Sequence, residues 1–155
     1  MHHCRVEACK QGILPFTTRR LLDCEKSCIR HGSIFVFDEV ASGMHRWTDG
    51  RLWSPSRISG NFLVYREAEL KVPWRPHRPR QLFSRNKGLY LLKPRGMIKR
   101  TMSVKINEHL CHLVAYQDAF QGTSALLRAP RDVPQLHGLQ VSTQLYEHQN
   151  FRRPP

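Results

Sequence analysis

The alternation of apolar and polar residues between Met97 and Tyr116 constrains the fold of this chain most. Side chains two positions apart on an extended strand point to the same face. One face is therefore apolar and the other polar or basic, with Arg100 alone interrupting the apolar row. The apolar row is Ile98, Met102, Val104 and Ile106, and the polar row is Lys99, Thr101, Ser103 and Lys105. With a tight turn at Asn107 and Glu108 and a second arm at His109–Tyr116, the pattern predicts an antiparallel hairpin with a core face and a basic face.

Two further apolar runs predict more strands. SIFVFDE, Ser33–Glu39, is rich in β-branched and aromatic residues, which favours a strand buried on both faces. NFLVYR, Asn61–Arg66, predicts a return to the sheet. Between them Ser42 and Gly43 turn the chain, and Met44–Trp47 is expected to pair back as a hairpin arm.

Helices are predicted to be few and short. Val6 and Cys9 form an apolar stripe at helical spacing, which predicts one helix over His2–Gln11. Asp23 is expected to cap a second helix, and Asp118 a single helical turn that ends at Gly122. The predicted fold class is α+β with a predominantly antiparallel β sheet.

A basic stretch from Arg46 to Phe62, RWTDGRLWSPSRISGNF, lies between two of these strands. It combines three arginines with two tryptophans and several hydroxyl residues, and Asp49, Gly50, Pro55 and Gly60 break its backbone. Guanidinium and hydroxyl groups donate hydrogen bonds to phosphates, which suits a nucleic-acid contact. A tryptophan plug under a surface hairpin, with Asp49 capping the Asp-Gly turn, explains the composition equally well.

The charge distribution indicates a polyanionic partner. The formal net charge is +13, from 25 Lys and Arg against 12 Asp and Glu. No acid occurs between Glu69 and Glu108, whereas lysines and arginines are frequent there. A block of one sign acts as an extended positive field rather than as a series of ion pairs.

Proline and charge divide the chain into four parts. Residues 1–69 form a first half with the basic stretch, and residues 89–134 form a second half. The Pro- and Arg-rich residues 70–88 read as a linker, either a solvated spacer or a basic arm that folds onto DNA. Residues 135–155 form a weakly patterned tail.

Several other functions are excluded by what the sequence lacks. No run of about 18 apolar residues is present, and the start has no apolar signal-peptide core, so an intracellular protein is expected. Its five cysteines have no framework spacing and are taken as reduced thiols. No paired ligand set for zinc and no catalytic signature occurs. We therefore expect no enzyme activity, no metal, no cofactor and no small-molecule substrate.

Two blocks of the chain resemble the WOPR-domain family of fungal transcriptional regulators. The first is RHGSIFVFDEVASGMHRWTDGRLWSPSRISGNFLVYRE, Arg30–Glu67, and the second is GMIKRTMSVKINEHLCHLVAY, Gly96–Tyr116, followed by LLRAP. Together with QGILPFTTRRLLDCEKSCIRHG, the resemblance covers most of Glu7–Pro134. Family members carry an additional strand-like segment before the equivalent of Val6–Cys9, for which Met1 leaves no room.

The resemblance implies two conserved halves interlocked into one unit that binds A·T-rich double-stranded DNA. Such proteins act in the nucleus as regulators of fungal morphology and development, and binding as a monomer is expected. Trp47 and Trp53 are assigned to the scaffold. The expected DNA-facing residues, with Lys93 added as a phosphate contact, are Arg46, Thr48, Arg51, Ser54, Ser56, Arg57, Lys93, Lys99 and Arg100.

Two further hypotheses remain open at the level of the sequence. A basic module that binds protein or RNA, without sequence-specific DNA binding, is the alternative function. Thr101 follows Lys99 and Arg100 as in a basophilic kinase target, where a phosphate would add close to two negative charges to a basic face.

Overall fold

The computed structural model describes residues 2–70, 82–85, 88–106, 108–120 and 132–145. Three short helices, eight strands and two 3₁₀ turns make up this part of the chain. The helices are α1 (His2–Lys10), α2 (Asp23–Ser27) and α3 (Glu39–Ser42). The strands are β1 (Ile34–Asp38), β2 (Leu52–Trp53), β3 (Arg57–Ser59), β4 (Phe62–Leu70), β5 (Leu82–Arg85), β6 (Gly88–Leu92), β7 (Met97–Ile106) and β8 (His109–Asp118). The 3₁₀ turns are Pro134–Leu136 and Thr143–Leu145.

The strands pair antiparallel in the order β1-β8-β7-β4-β6-β5, and β2 and β3 also pair with β4. The hairpin predicted from the alternation is confirmed as β7 and β8, which pair from Met97 opposite Asp118 to Ile106 opposite His109. The predicted Asn107 turn residue lies outside the described residues. The predominantly antiparallel β fold with a few short helices is therefore confirmed.

Strand pairing interlocks the two halves. β1 from the first half pairs with β8 from the second, and β4 pairs with both β6 and β7. Backbone hydrogen bonds of β1 and β4 are thus completed by strands of the second half. β5 lies within the predicted linker 70–88, whereas residues 71–81 and 86–87 lie outside the described residues.

Each face of the sheet carries a core cluster, so the prediction of one core face and one basic face is wrong around Lys99, although Ser103 and Lys105 of the polar row are exposed as predicted. One core packs α1 and the Thr143–Leu145 turn against the apolar row of the hairpin, including Val104 and Leu113. The other core lies on the opposite face, where Phe37, Trp53 and Tyr116 pack together. Lys99, predicted to lie on a solvated basic face, is buried in this second layer.

Local hydrogen bonding also changes several predicted elements. Asp38 accepts hydrogen bonds from the backbone N–H of Val40 and Ala41, which starts α3. The chain then continues without a strand, so the predicted hairpin arm at Met44–Trp47 is wrong. Helix α2 begins differently from the prediction, since Leu22 is the capping residue and the Glu25 carboxylate accepts its N–H at 2.7 Å.

The basic stretch and the end of β8 also differ from prediction. Although Asp49, Gly50, Pro55 and Gly60 interrupt the stretch, β2 and β3 within it both pair with β4. Strand β8 continues to Asp118, whose side chain accepts the Phe120 N–H at 2.8 Å, and the end of the predicted helical turn at Gly122 lies outside the described residues. None of the helices in the described ranges is long and apolar enough to cross a membrane.

The weakly patterned tail packs onto α1. Leu145 is fully buried in the core that contains Val6 and Val104. The backbone N–H of Ser142 donates to the buried Glu7 carboxylate at 3.2 Å. The tail therefore completes the first core, which its sequence pattern did not indicate.

We predict that Leu145→Ala lowers the free energy of unfolding by about 2–5 kcal/mol, because a fully buried leucine leaves a cavity when it is shortened. Urea unfolding followed by tryptophan fluorescence measures this loss. Thr143→Ala, at an exposed position of the same turn, is the matched control. Equal unfolding midpoints for the two variants would show that the tail does not contribute to the core.

Candidate nucleic-acid interface

A buried carboxylate, Asp49, organises the basic stretch. Its oxygens accept hydrogen bonds from Trp53 Nε1 at 2.9 and 3.1 Å and from the Tyr116 hydroxyl at 2.6 Å. Lys99 Nζ lies 2.9 Å from Oδ2, and the Arg51 backbone N–H donates to Oδ1 at 3.1 Å. Asp49 thus caps the Asp-Gly turn as predicted, but it also joins that turn to strands β7 and β8.

Aromatic rings enclose this ion pair. The Lys99 ammonium lies 4.3 Å from the ring centroid of Trp53 and 5.4 Å from that of Tyr65. Trp47 Nε1 donates to the Tyr116 hydroxyl at 2.7 Å, and the Trp47 ring stacks on Phe37 at 5.6 Å. Both tryptophans therefore have scaffold contacts, in agreement with their assignment. We call Asp49, Lys99, Trp47, Trp53 and Tyr116 the Asp49 cluster.

The ionisation of the Asp49 cluster follows from burial and charge. Burial by itself would raise the pKa of Asp49, but the Lys99 charge and the hydrogen bonds from Trp53 and Tyr116 outweigh it, so this pKa lies below its ordinary value. Burial lowers the pKa of Lys99, and Asp49 opposes that shift only in part. Burial and the Asp49 charge both raise the pKa of Tyr116, which therefore remains a neutral donor.

A second buried carboxylate, Glu67, binds the stretch at Arg51, two residues after Asp49. Its Oε1 pairs with Arg51 Nη1 at 3.1 Å and with Lys93 Nζ at 2.8 Å, and its Oε2 accepts the Met97 N–H at 2.8 Å. Arg51 Nη2 also donates to the Ile29 carbonyl at 3.2 Å. Arg51 is therefore held on both sides by the fold.

Four of the predicted DNA-facing side chains within the basic stretch are exposed. Arg46 and Thr48 precede the Asp49 turn, and the Thr48 hydroxyl accepts a hydrogen bond from Arg20 Nη1 at 3.0 Å. Ser56 and Arg57 follow β2, at the start of β3. We call residues 46–57 of the basic stretch the basic segment. The four exposed residues above are its outward row.

The strand register places Arg57 and Arg100 on the same face of the sheet, on the two strands that flank β4. Arg57 pairs with Val64 on β4, and Val64 pairs with Arg100 on β7, so the three side chains share one face. Arg66, two residues from Val64, lies on the same face and is exposed. This basic row follows from strand pairing, and it includes an arginine that sequence reasoning did not select.

The other predicted site residues have roles in the fold. Ser54 Oγ accepts the Arg66 N–H at 3.0 Å, which fastens the β2–β3 connection to β4. Arg51 and Lys93 share Glu67, although half of the Lys93 side chain stays accessible. Lys99 is 7% exposed and paired, so the prediction that it faces DNA is corrected by the Asp49 cluster.

Sequence reasoning missed the second partner of each buried carboxylate. Asp49 and Glu67 lie in the first half, whereas Lys99 and Lys93 lie between Glu69 and Glu108, where the sequence has no acid. A buried lysine in a block without acids must find its partner elsewhere in the chain. That absence of local acids was the signal available in the sequence.

Thr101 is poorly placed for modification. It is half-buried in the middle of β7, between Leu63 on β4 and Val114 on β8. A kinase binds an extended substrate segment, so the sheet would have to open first. The structure therefore does not favour the phosphorylation hypothesis.

Asp49→Asn is predicted to lower the free energy of unfolding by about 3–5 kcal/mol at pH 7, because it leaves the Lys99 charge buried without a partner. Denaturant unfolding measures the loss, and adding Lys99→Met should recover part of it. Asp23→Asn is the matched control, since Asp23 forms an exposed pair with Lys26. The interpretation fails if both Asn variants lose equal stability or if Lys99→Met adds a further full loss.

Acid should remove the stability that these carboxylates contribute. The pKa values of Asp49 and Glu67 are lower in the folded protein than in the unfolded chain. Their contribution is therefore present above about pH 4 and lost as the pH falls through the folded-state values. The free energy of unfolding, measured from pH 7 to pH 3, should decline more steeply for the unmodified chain than for Asp49→Asn. Parallel curves would contradict the lowered pKa of Asp49.

Sequence comparisons and structure comparisons relate this chain to the same group of proteins. The model of the Gti1/Pac2 family matches residues 3–87. The global transcription regulator sge1 of Gibberella fujikuroi is 33% identical over 195 residues, covering 96% of this chain and 58% of that protein. The cAMP-independent regulatory protein pac2 of Schizosaccharomyces pombe is 62% identical over 65 residues, 42% of this chain and 28% of that protein. The chain thus spans 58% of the length of the sge1 relative.

Solved structures share the fold. One described as a fungal protein superposes with a TM-score of 0.74 at 36% identity, covering 92% of this chain and 81% of that one. The WOPR domain of Wor1 from Candida albicans, in complex with a 13-bp double-stranded DNA, superposes with a TM-score of 0.66 at 29% identity, covering 92% of this chain and 86% of that one. The relatives above are named as regulators and not as enzymes. The chain belongs to the Gti1/Pac2 (WOPR) family, as its two sequence blocks indicated.

Proposed function

We propose that this chain binds double-stranded DNA sequence-specifically, as a nuclear transcriptional regulator of fungal morphology or development. The observation that carries the proposal is the division of the basic segment 46–57. Its tryptophans and Asp49 face the interior, whereas Arg46, Thr48, Ser56 and Arg57 face solvent. The DNA complexes of the related Wor1 domain and the net charge of +13 support the same function.

The outward row suits phosphate and groove contacts. Hydroxyl groups at Thr48 and Ser56 donate to phosphate oxygens, and guanidinium groups at Arg46 and Arg57 reach phosphates or base edges. Narrow minor grooves at A·T-rich sites concentrate negative potential, which attracts arginine. We therefore assign A·T-rich duplex DNA as the preferred site, with binding by a monomer.

The remaining site residues divide by their contacts. Arg100 and Arg66 extend the arginine row from Arg57 across the sheet, and they are proposed to bind the DNA backbone. Arg51 and Ser54 position the segment through Glu67 and Arg66. The accessible part of Lys93 remains a candidate phosphate contact.

Rigidity favours this function over a loosely ordered charged loop. Asp49 and the pair of Arg51 with Glu67 fix the segment before β2, and the hydrogen bond from the Arg66 N–H to Ser54 fixes it after β2, before any partner arrives. Little backbone entropy is then lost on binding, so the cost of ordering the segment offsets less of the free energy of the arginine contacts. A preformed surface also discriminates among groove shapes better than a chain that adapts to each.

A basic module that binds RNA or protein is the alternative function. Affinities for A·T-rich duplex DNA, random duplex DNA and single-stranded RNA, each measured across a salt series, separate the readings. The proposal expects the tightest binding to the A·T-rich duplex and a falling affinity with salt for all three polymers. Equal affinity for RNA and both duplexes would leave only charge as the basis of binding.

Arg57→Ala is predicted to lose about 1–3 kcal/mol on the preferred duplex and less on random duplex, because a base contact adds to the phosphate attraction. Arg57→Lys tests the same point, since it keeps the charge but loses the planar fork that binds base edges. Fluorescence anisotropy measures both, with Lys105→Ala at the far end of β7 as the control. Equal losses on the two duplexes would make Arg57 a phosphate contact only.

A further inference from the structure

A groove of about 520 Å³ opens beside the turn that joins β6 to β7. Leu91, Leu92 and Met97 line it from the strands, and Phe120, which follows β8, lies at one side. Lys93, Arg95 and Phe120 are exposed, so the groove is open to solvent along its rim. It therefore suits an extended chain better than an enclosed small molecule.

The rim of this groove is positively charged. Arg66, Lys93 and Arg95 line it, and Glu67 is the one acid among its described lining residues. The Glu67 carboxylate is already engaged by Arg51, Lys93 and the Met97 N–H. The groove consequently combines an apolar floor with an excess of positive charge.

Arg95 adopts a backbone conformation that side-chain-bearing residues rarely take. Its φ is 55°, in a turn closed by the Gly96 N–H donating to the Lys93 carbonyl at 3.0 Å. Glycine is the residue that such a position favours. Arginine here places its guanidinium 5.0 Å from the ring centroid of Phe120, which is 69% exposed. Strained backbone conformations of this kind cluster at functional sites. Here the strained residue holds its cation over an accessible ring.

We propose that this groove binds a short acidic segment of a protein partner, with one bulky apolar side chain flanked by Asp or Glu. The apolar residue contacts Leu92, Met97 and Phe120, and a flanking carboxylate pairs with Arg95. Duplex DNA fits the groove less well, because a phosphate backbone would touch only the rim. The segments that follow β4 and Phe120 in the sequence, residues 71–81 and 121–131, contain no Asp or Glu that could supply the complementary charge.

The test uses the full chain and a labelled 14-residue peptide with a central Phe flanked by Asp and Glu. Fluorescence anisotropy should show binding that weakens with salt. A peptide with Lys at every acidic position should not bind, and replacing the central Phe by Ser should reduce affinity at least 10-fold. Equal binding of the acidic, Lys and Ser peptides would overturn the proposal.

Variants locate the site. Arg95→Glu and Phe120→Ser should each weaken the acidic peptide at least 10-fold. Lys105→Glu, an equal charge change at the other end of β7, should weaken it less than 3-fold. Arg95→Gly should also lose peptide affinity while raising the unfolding midpoint, because glycine relieves the positive φ. Peptide binding that is equally sensitive to Arg95→Glu and Lys105→Glu would show attraction by net charge alone.

The affinity for duplex DNA, measured on the same variants, tests the peptide groove separately from the proposed function. Arg95→Glu should lower affinity for A·T-rich duplex no more than Lys105→Glu does. A much larger loss of duplex affinity in Arg95→Glu would place the groove in the DNA interface and overturn the peptide proposal. Peptide binding by a chain that binds no DNA would instead overturn only the proposed function.

Discussion

The buried ion pair between Asp49 and Lys99 is the interaction on which the rest of the structure depends. Both charges are withdrawn from water, a cost that is offset only when the two groups face each other and their remaining hydrogen bonds are made. Trp53 and Tyr116 supply those bonds, and the Trp53 ring covers the ammonium. Because Asp49 belongs to the first half and Lys99 to the second, the pair also fixes how the halves meet. Its net contribution to stability is smaller than the loss expected when one partner is removed.

This arrangement separates the charges that hold the fold from those that are free to meet a partner. Among the described residues, the buried charges of Asp49, Glu67 and Lys99 are paired with opposite charges. Arg46 and Arg57 stay outside the network of described contacts and retain their exposure. The +13 charge therefore acts mainly at the surface, where it attracts a polyanion from a distance and then contacts it through side chains already in position.

Much of the sheet could be predicted because alternation and β-branched runs report strand positions directly. The Met97–Tyr116 hairpin and the Ser33–Glu39 strand were found this way. Alternation does not report what covers each face, so Lys99 was placed on a surface that Trp53 in fact covers. The docking of Leu145 depends on contacts between distant segments, which no local pattern encodes, whereas the Asp38 cap that starts α3 is a local contact that the strand pattern of Ser33–Glu39 concealed. Of the candidate site, composition identified the segment, but only the packing distinguished its inward from its outward side chains.

The central claim is that the Asp49 cluster clamps the basic segment as firmly as the core of the sheet. Hydrogen exchange of the Trp47 and Trp53 indole N–H groups, followed by NMR in the intact chain, tests it most directly, because both donate within the cluster. The account predicts protection from exchange comparable to that of the Val104 amide in the middle of the sheet. Exchange of both indoles at rates typical of exposed tryptophan, while the Val104 amide stays protected, would contradict it.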